Sequence, residues 1–494
     1  MYSLCSIYMY CTGHIAMPIV TIDPQNATPL TDQITNSIRQ QINEKTLRAG
    51  MRLPSIRLFA EQHGISRFTV VQAYDRLIAM GYINSRPGSG FYVSMPTPAQ
   101  TLDSTYQPES AIDVVWILKK SLEDRTSKTM PGAWWLPAEW MEDSGIKKSL
   151  RMISQKNGEF LSAYGTAGGY LPLRSLLQNK LSALGIVANP SQIILTSGVT
   201  HAMDLVTRHL IQAGDAVLVD DPGYFILFGG LKSFGAKVVG VPWNVDGPDV
   251  ARLEALIIEH RPKVFFTNTI LHNPTGASIS QPVAYRILQL AEKYDVTLVE
   301  DDIYGDFHPM PITRLATLDQ LNRVIYVSSF SKTVSASLRV GYFACNQKMA
   351  DKLCDVKLLT NLTTSEINEQ VMYQLLVDGH YRKHMDKLRK RLLQARQQTI
   401  AKLEQLGFDV HCEPQGGMFV WASPGENFDT ANIAIEAAKN GIMMAPGNMF
   451  RPNQEATPFF RFNVAHCENI STFKFLESTL RHIADTSHPK LYGR

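Results

Sequence analysis

The strongest constraint in this chain is an alternation that begins near residue 190. Short apolar runs, "IILTSG", "AVLVDDPGY", "KVVGVPW", "KVFFTN", "VTLVEDD" and "VIYVSSFSK", are separated by stretches with helical periodicity, including 199–212, 249–260 and 281–294. Runs of four to six apolar residues without polar alternation are strands buried on both faces, so the pattern predicts a largely parallel sheet covered by helices. In such sheets ligands gather at the carboxyl ends of the strands. Each polar cluster of the region falls at such an end: "SGVT" at 197–200, "HNPTG" at 272–276, Asp301 and Asp302 after "VTLV", and "SSFSK" after "VIYV".

One ligand can use all of these clusters. Small hydroxyl residues opening a helix suit a phosphate, because the free N–H groups and the helix dipole favour an anion. Ser329, Ser331 and Arg339 bring further donors and a positive charge to it. A carboxylate at a strand end binds a protonated ring nitrogen, and a lysine such as Lys332 condenses with an aldehyde. Phosphate, pyridinium and aldehyde together describe pyridoxal 5′-phosphate. Taken singly the signals are bland: Asp301 or Asp302 serves as a helix cap, "NPTG" as a turn, and Arg461 as half of a buried ion pair.

The same stretches resemble the class I/II aminotransferases of the fold-type I pyridoxal-phosphate enzymes, over roughly 113–485, with a smaller C-terminal α+β subdomain. The resemblance implies that Lys332 of "SFSK" is the Schiff-base lysine and that Asp301 of "EDDIY" pairs with the ring nitrogen; Asp301 is preferred to Asp302 because the D-x-x-Y spacing then places Tyr304. It implies that Tyr304 and Asn273 hydrogen-bond the ring hydroxyl, that Tyr224 of "DPGY" stacks on the ring, and that Val199 and Thr200 open the phosphate-binding helix. Tyr164 of "YGTAGGYLPLR" resembles the tyrosine that reaches the neighbouring subunit's phosphate, which implies a homodimer. Arg461 of "FFRFNVAH", with Asn273, resembles the clamp for a substrate α-carboxylate, a task suited to guanidinium.

A different unit precedes this body. Residues 1–95 carry eight Lys/Arg against five Asp/Glu, whereas the rest of the chain balances, so the whole net charge of +3 lies near the N-terminus. A helical stripe at 30, 34, 38 and 42 runs toward Gly50; "SIRLFAEQHG" follows, capped by Ser55 and closed by Gly64; "SRFTVVQAYDRLIAMG" starts at the cap Ser66 with apolar positions 70, 73, 74 and 77. Then "YINSRPGSGFYVS" reads as a β-hairpin. Two helices with a tight turn and a hairpin wing match DNA-binding geometry; the bland alternative is a three-helix protein-binding module. The stretch 52–93 resembles the winged helix-turn-helix of GntR regulators. That implies DNA contacts by Arg57, Ser66, Arg67, Thr69 and Gly88, on a domain spanning 18–95.

Between the two units 96–112 reads as a linker, with Pro96, Pro98 and Pro108 and no periodicity. Residues 1–17 read as an extension, with Met17 a second candidate start. The six cysteines show no metal-ligand spacing, and no metal is expected. No apolar run is long enough to span a bilayer, and a reduced cytoplasmic setting is expected. The basic run 380–398 reads as a helix face in solvent, with Leu388, Leu392 and Leu393 turned inward, rather than as a DNA patch. The domain order resembles the MocR subgroup of GntR regulators. It implies a regulator that binds a double-stranded DNA operator and senses pyridoxal phosphate or an amino-acid-like effector. The competing reading is a working aminotransferase with a DNA-binding appendage, since Lys332, Asp301 and Arg461 are all intact.

Overall fold

The computed structural model describes residues 22–94, 129–156 and 158–487, with Pro18 and Val20. The expected extension 1–17 and the linker 96–112 lie outside the described residues. The chain divides into two compact units, one up to Thr105 and one from Tyr106 onward.

The first unit is three helices and a hairpin. Its helices are Leu30–Asn43, Ile56–His63 and Arg67–Ala79, and its strands Ile83–Arg86 and Gly90–Val93 pair antiparallel. The first helix ends at Asn43, short of the expected Gly50, because Lys45 turns to φ 60 and takes the chain out of helical geometry. The two caps behave as expected. Ser55 Oγ accepts from Leu58 N and Ser66 Oγ from Thr69 N, while Gly64, at φ 64, closes the middle helix. Ile34, Ile38, Phe59, Val70, Ala73, Tyr74 and Leu77 form the core, each fully buried.

The second unit is built on an eight-stranded sheet. Its spatial order is Ile193–Thr196, Gly341–Ala344, Val324–Ser329, Thr297–Asp301, Val264–Thr267, Ala216–Asp221, Lys237–Asn244 and Gly247–Pro248. The five central strands from 324–329 to 237–244 are parallel, as expected. Gly341–Ala344, which the alternation does not reveal, runs antiparallel between 193–196 and 324–329. Neighbouring residues of each strand face opposite ways: Leu218, Phe265, Leu298 and Tyr326 join the core on one side, and Val219, Phe266, Val299 and Ile325 the core on the other. A smaller antiparallel sheet, 409–410, 419–423, 460–463 and 445–446, forms the C-terminal part.

The basic run lies on one helix, His380–Gln405. Leu388 and Leu392, one turn apart, are buried, but Leu393 is 46% exposed; it points about 100° away from Leu392, toward the side that leaves this face. Several of its arginines are engaged with the body: Arg389 Nε donates to the Asp306 carbonyl, Arg391 lies over Trp140 at 3.9 Å, and Arg396 donates to the Gly417 carbonyl.

Candidate cofactor and DNA sites

Three consecutive carboxylates at the end of the 297–301 strand have three different surroundings. Glu300 is fully buried and accepts from Thr269 Oγ1 and from the backbone N–H groups of Leu315 and Ala316, the start of a short helix. Asp302 is tied to Arg314 Nε at 2.6 Å and to the Tyr326 hydroxyl at 2.6 Å, with both ion-pair partners buried. Asp301 lies between them. It accepts one bond, from Ile303 N, and faces a cleft of about 1340 Å³. Burial raises its carboxyl to about 7, against the pull of the Ile303 N–H and the Lys332 charge.

Lys332 stands on the same cleft. The parallel register sets Asp301 beside Val327, and the chain leaves that strand two residues later toward Lys332. Its Nζ donates to the Trp134 carbonyl at 2.6 Å. Burial, with the nearby Arg461 and Arg339 charges, lowers its ammonium to about 7. An amine that is partly neutral near pH 7 is a nucleophile, as an ordinary lysine is not.

The cleft also carries an anion cradle. The helix Val199–Leu210 opens on it behind Gly198, whose φ of 86 needs glycine and whose added Cβ would stand 2.6 Å from the Arg339 guanidinium. Arg339, itself at φ 50, reaches the Ser197 carbonyl at 2.6 Å and Ser331 Oγ at 3.3 Å. Val199, Thr200, Ser331 and Arg339 all line the cleft. Ser329 does not; it sits behind, donating to Ser331 Oγ and the Val340 carbonyl and so fixing the loop.

Tyr224, Asn273 and Tyr304 line the remaining wall. Burial pushes the Tyr224 hydroxyl up to about 12, against the pull of nearby Thr200, and burial raises the Tyr304 hydroxyl, against the pull of Arg461 and Asn273. Arg461 is only 1% exposed and stands behind Asn273 rather than on the cleft wall. It donates to Asn273 Oδ1 at 2.9 Å and to the Gly132 carbonyl at 2.7 Å, between the rings of Phe419 and Phe450. Among the described residues no carboxylate pairs with it, which removes the bland ion-pair reading of this arginine. Its Nε has no partner there. Burial lowers the pKa of its guanidinium to about 10. Tyr164 is apart from the cleft and 82% exposed.

The sequence reading missed the segment 130–136. Its carbonyls take up the cations and amides of the site: Gly132 and Ala133 accept from Arg461, Trp134 from Lys332, and Trp135 from Asn463 and His466. No periodicity marks it, since it works through backbone oxygens. Asn268 was also missed; its amide donates to the Asp301 carbonyl at 2.7 Å, and its Oδ1 accepts from Asn273 N at 2.7 Å. It is the last residue of "KVFFTN", so its strand-end position was the available signal.

A lysine with a depressed ammonium, a carboxylate facing it, a glycine cradle with an arginine and a helix N-terminus, and an aromatic wall fit pyridoxal 5′-phosphate in every functional group.

In the first unit, Arg57 pairs with Glu61 at 2.8 Å and both are exposed. Ser66 Oγ and Thr69 Oγ1 hydrogen-bond each other at 2.8 Å. Arg67 is exposed on the first turn of its helix. Gly88 occupies the hairpin tip at φ 71 with open space around its Cα. The wing is braced by Arg86 over the Tyr92 ring at 4.5 Å.

Comparison with known proteins matches both units. Residues 143–477 match the family model "Aminotransferase class I and II", and residues 30–93 match "Bacterial regulatory proteins, gntR family". The uncharacterized HTH-type transcriptional regulator YdfD of Bacillus subtilis is 29% identical over 89% of this chain and 93% of its own. HTH-type transcriptional regulator NorG of Staphylococcus aureus is 26% identical over 82% of this chain and 94% of its own. Among solved structures, Pyrococcus horikoshii kynurenine aminotransferase, in complex with PMP, superposes with a TM-score of 0.70 at 25% identity, covering 76% of this chain and 95% of that one. The LysN α-aminoadipate aminotransferase of Thermus thermophilus, complexed with a phosphopyridoxyl-leucine, shares the fold with a TM-score of 0.69 at 23% identity, covering 75% of this chain and 95% of that one. The cofactor of this body is pyridoxal 5′-phosphate, and the chain belongs to the aminotransferase class I and II family, carried behind a GntR-type DNA-binding domain as in the MocR-like GntR transcriptional regulators.

Proposed function

We propose that this transcriptional regulator holds pyridoxal phosphate on Lys332 and senses the cofactor itself, or an amino-acid-like effector, through that site. The observation that carries the reading is the meeting of Lys332 and Asp301 on one cleft with the Arg339 cradle. When bound, the cofactor supplies an aldehyde that takes up primary amines and a ring that accepts electrons. Lys332 tethers it, with an amine that is partly neutral near pH 7. Asp301 holds the proton at the ring nitrogen. Arg339, Ser331 and the N–H groups of Val199 and Thr200 bind the phosphate. Tyr304 and Asn273 orient the ring hydroxyl, and Tyr224 offers an aromatic face.

Arg461 and Asn273 then receive the effector's carboxylate. A buried guanidinium spends its hydrogen bonds on neutral carbonyls here, and a carboxylate is the stronger acceptor. Taking Arg461 from Gly132 and Ala133, and Lys332 from Trp134, alters the hold on the segment 129–136. In sequence that segment stands near the start of the body, on the side of the expected linker, so its release is a route by which site occupancy reaches the DNA-binding domain. Tyr164, exposed and away from its own cleft, serves the second subunit of a homodimer, and two DNA-binding domains then read a two-part operator.

The test is an operator titration. A duplex selected from random sequences by the full chain is bound in the presence and absence of pyridoxal phosphate, then with a panel of amino acids. The expected result is a change in affinity or in bend. Unchanged binding throughout refutes the sensing role. A second reading, a working aminotransferase, is favoured by the intact Lys332, Asp301 and Arg461; release of a keto acid from any member of the panel decides for it.

A further inference from the structure

The leading turn of the third helix, Arg67–Ala79, holds an apolar group that nothing in the protein core explains. Phe68 is 68% exposed, while the inward side of the same helix is filled by Val70, Ala73, Tyr74 and Leu77, each fully buried. The other side chains of this turn are already committed. Ser66 Oγ caps Thr69 N at 3.0 Å, and the two hydroxyls bond each other. Farther off, Arg57 is paired with Glu61 and Arg76 with Asp32. Phe68 and Arg67 are thus the two side chains of the leading turn left to meet a partner.

In a helix-turn-helix the second helix enters the major groove and its N-terminal residues meet the base edges. A phenyl ring there has one apolar target in B-DNA, the 5-methyl group of thymine; every other major-groove edge presents hydrogen-bonding atoms. We propose that Phe68 is a specificity-determining residue that reads a thymine methyl in each operator half-site, with Arg67 on the neighbouring phosphate or guanine. This rests on the DNA-reading role given above and adds the chemistry of one base position.

The experiment changes the DNA before the protein. Full-length protein with its cofactor selects an operator from random duplexes, and each thymine of that operator is replaced singly by deoxyuridine, which removes only the methyl. Fluorescence anisotropy then gives the affinity. Loss of the critical methyl is expected to weaken binding about fourfold per half-site, the worth of one buried methyl group. Phe68→Ala weakens binding to the thymine operator and removes the difference between the thymine and deoxyuridine duplexes. Because Phe68 is exposed and outside the core, the variant's thermal melt is expected to match the parent's. Equal affinity of the parent protein for all deoxyuridine duplexes overturns the proposal while leaving DNA binding intact, as does a Phe68→Ala variant that still tells thymine from deoxyuridine. Failure of the parent to bind any duplex overturns the DNA-reading role and this assignment with it.

Discussion

Replacing Asp302 and Asp301 in turn separates a structural carboxylate from a functional one at adjacent positions. Asp302 is bound to Arg314 and to the Tyr326 hydroxyl, with the ion pair only 2–3% exposed. In Asp302→Ala the Arg314 guanidinium stays buried without its counter-charge, a loss of about 3–5 kcal/mol. The orphaned Tyr326 hydroxyl adds a share of the roughly 1–3 kcal/mol that such a group costs, not fully additive. Asp301 accepts a single N–H, and its carboxyl is raised by burial, so the ionised form weakens the folded state. The sign follows: an acid whose folded pKa lies above its unfolded one loses stability as pH rises from the unfolded value toward the folded value of about 7. In cofactor-free protein at pH 8, Asp301→Asn therefore retains stability or gains it.

The assay is urea unfolding followed by tryptophan fluorescence. All six tryptophans lie at or after Trp116, so the signal reports the body and not the DNA-binding domain. With a slope of about 3 kcal/mol per molar urea, Asp302→Ala lowers the midpoint by at least roughly 1 M. Asp301→Asn leaves it in place yet loses the visible absorbance of bound cofactor. An Asp301→Asn midpoint that falls as far as that of Asp302→Ala refutes the division of roles, and so does an Asp302→Ala protein of parental stability that has lost the cofactor.

Lys332→Ala is expected to abolish covalent retention of the cofactor, measured as trapping by borohydride; retention places the tether elsewhere. With the Lys332 ammonium near 7, the rate of cofactor uptake falls about tenfold per pH unit below that value and levels off above it; a rate still climbing toward pH 10 shows an unperturbed lysine. Gly198→Ala forces a side chain to φ 86 and against Arg339, and about 1–2 kcal/mol of strain weakens cofactor binding about tenfold in equilibrium dialysis. Tyr164→Phe weakens cofactor binding although the residue is outside its own cleft, and mixing it with a Lys332→Ala chain gives hybrid dimers with one site of parental affinity and one empty site; unchanged affinity in Tyr164→Phe, or no restored site in the hybrids, removes the cross-subunit role.

The sequence by itself determined the order of most elements, the antiparallel strand Gly341–Ala344 excepted, and the chemistry available at their ends. Strand runs such as "VTLVE" are legible because both faces of a parallel strand must be apolar, and Ser55, Gly64 and Ser66 are legible because caps act within a few residues. Asp301, Lys332 and Asn273 were legible because each lies at a strand's carboxyl end or in the loop that follows it, and Arg339 because it closes the same loop as Lys332. Local patterns could not carry what depends on distant partners. That Asp302 belongs to Arg314 while Asp301 faces the cleft was decided by which way each points from the strand end. That Arg461 meets Asn273 and, among the described residues, no carboxylate was decided by packing across 188 residues. The segment 130–136 holds the site through backbone oxygens, which every residue possesses, so only the tertiary structure gives it a role.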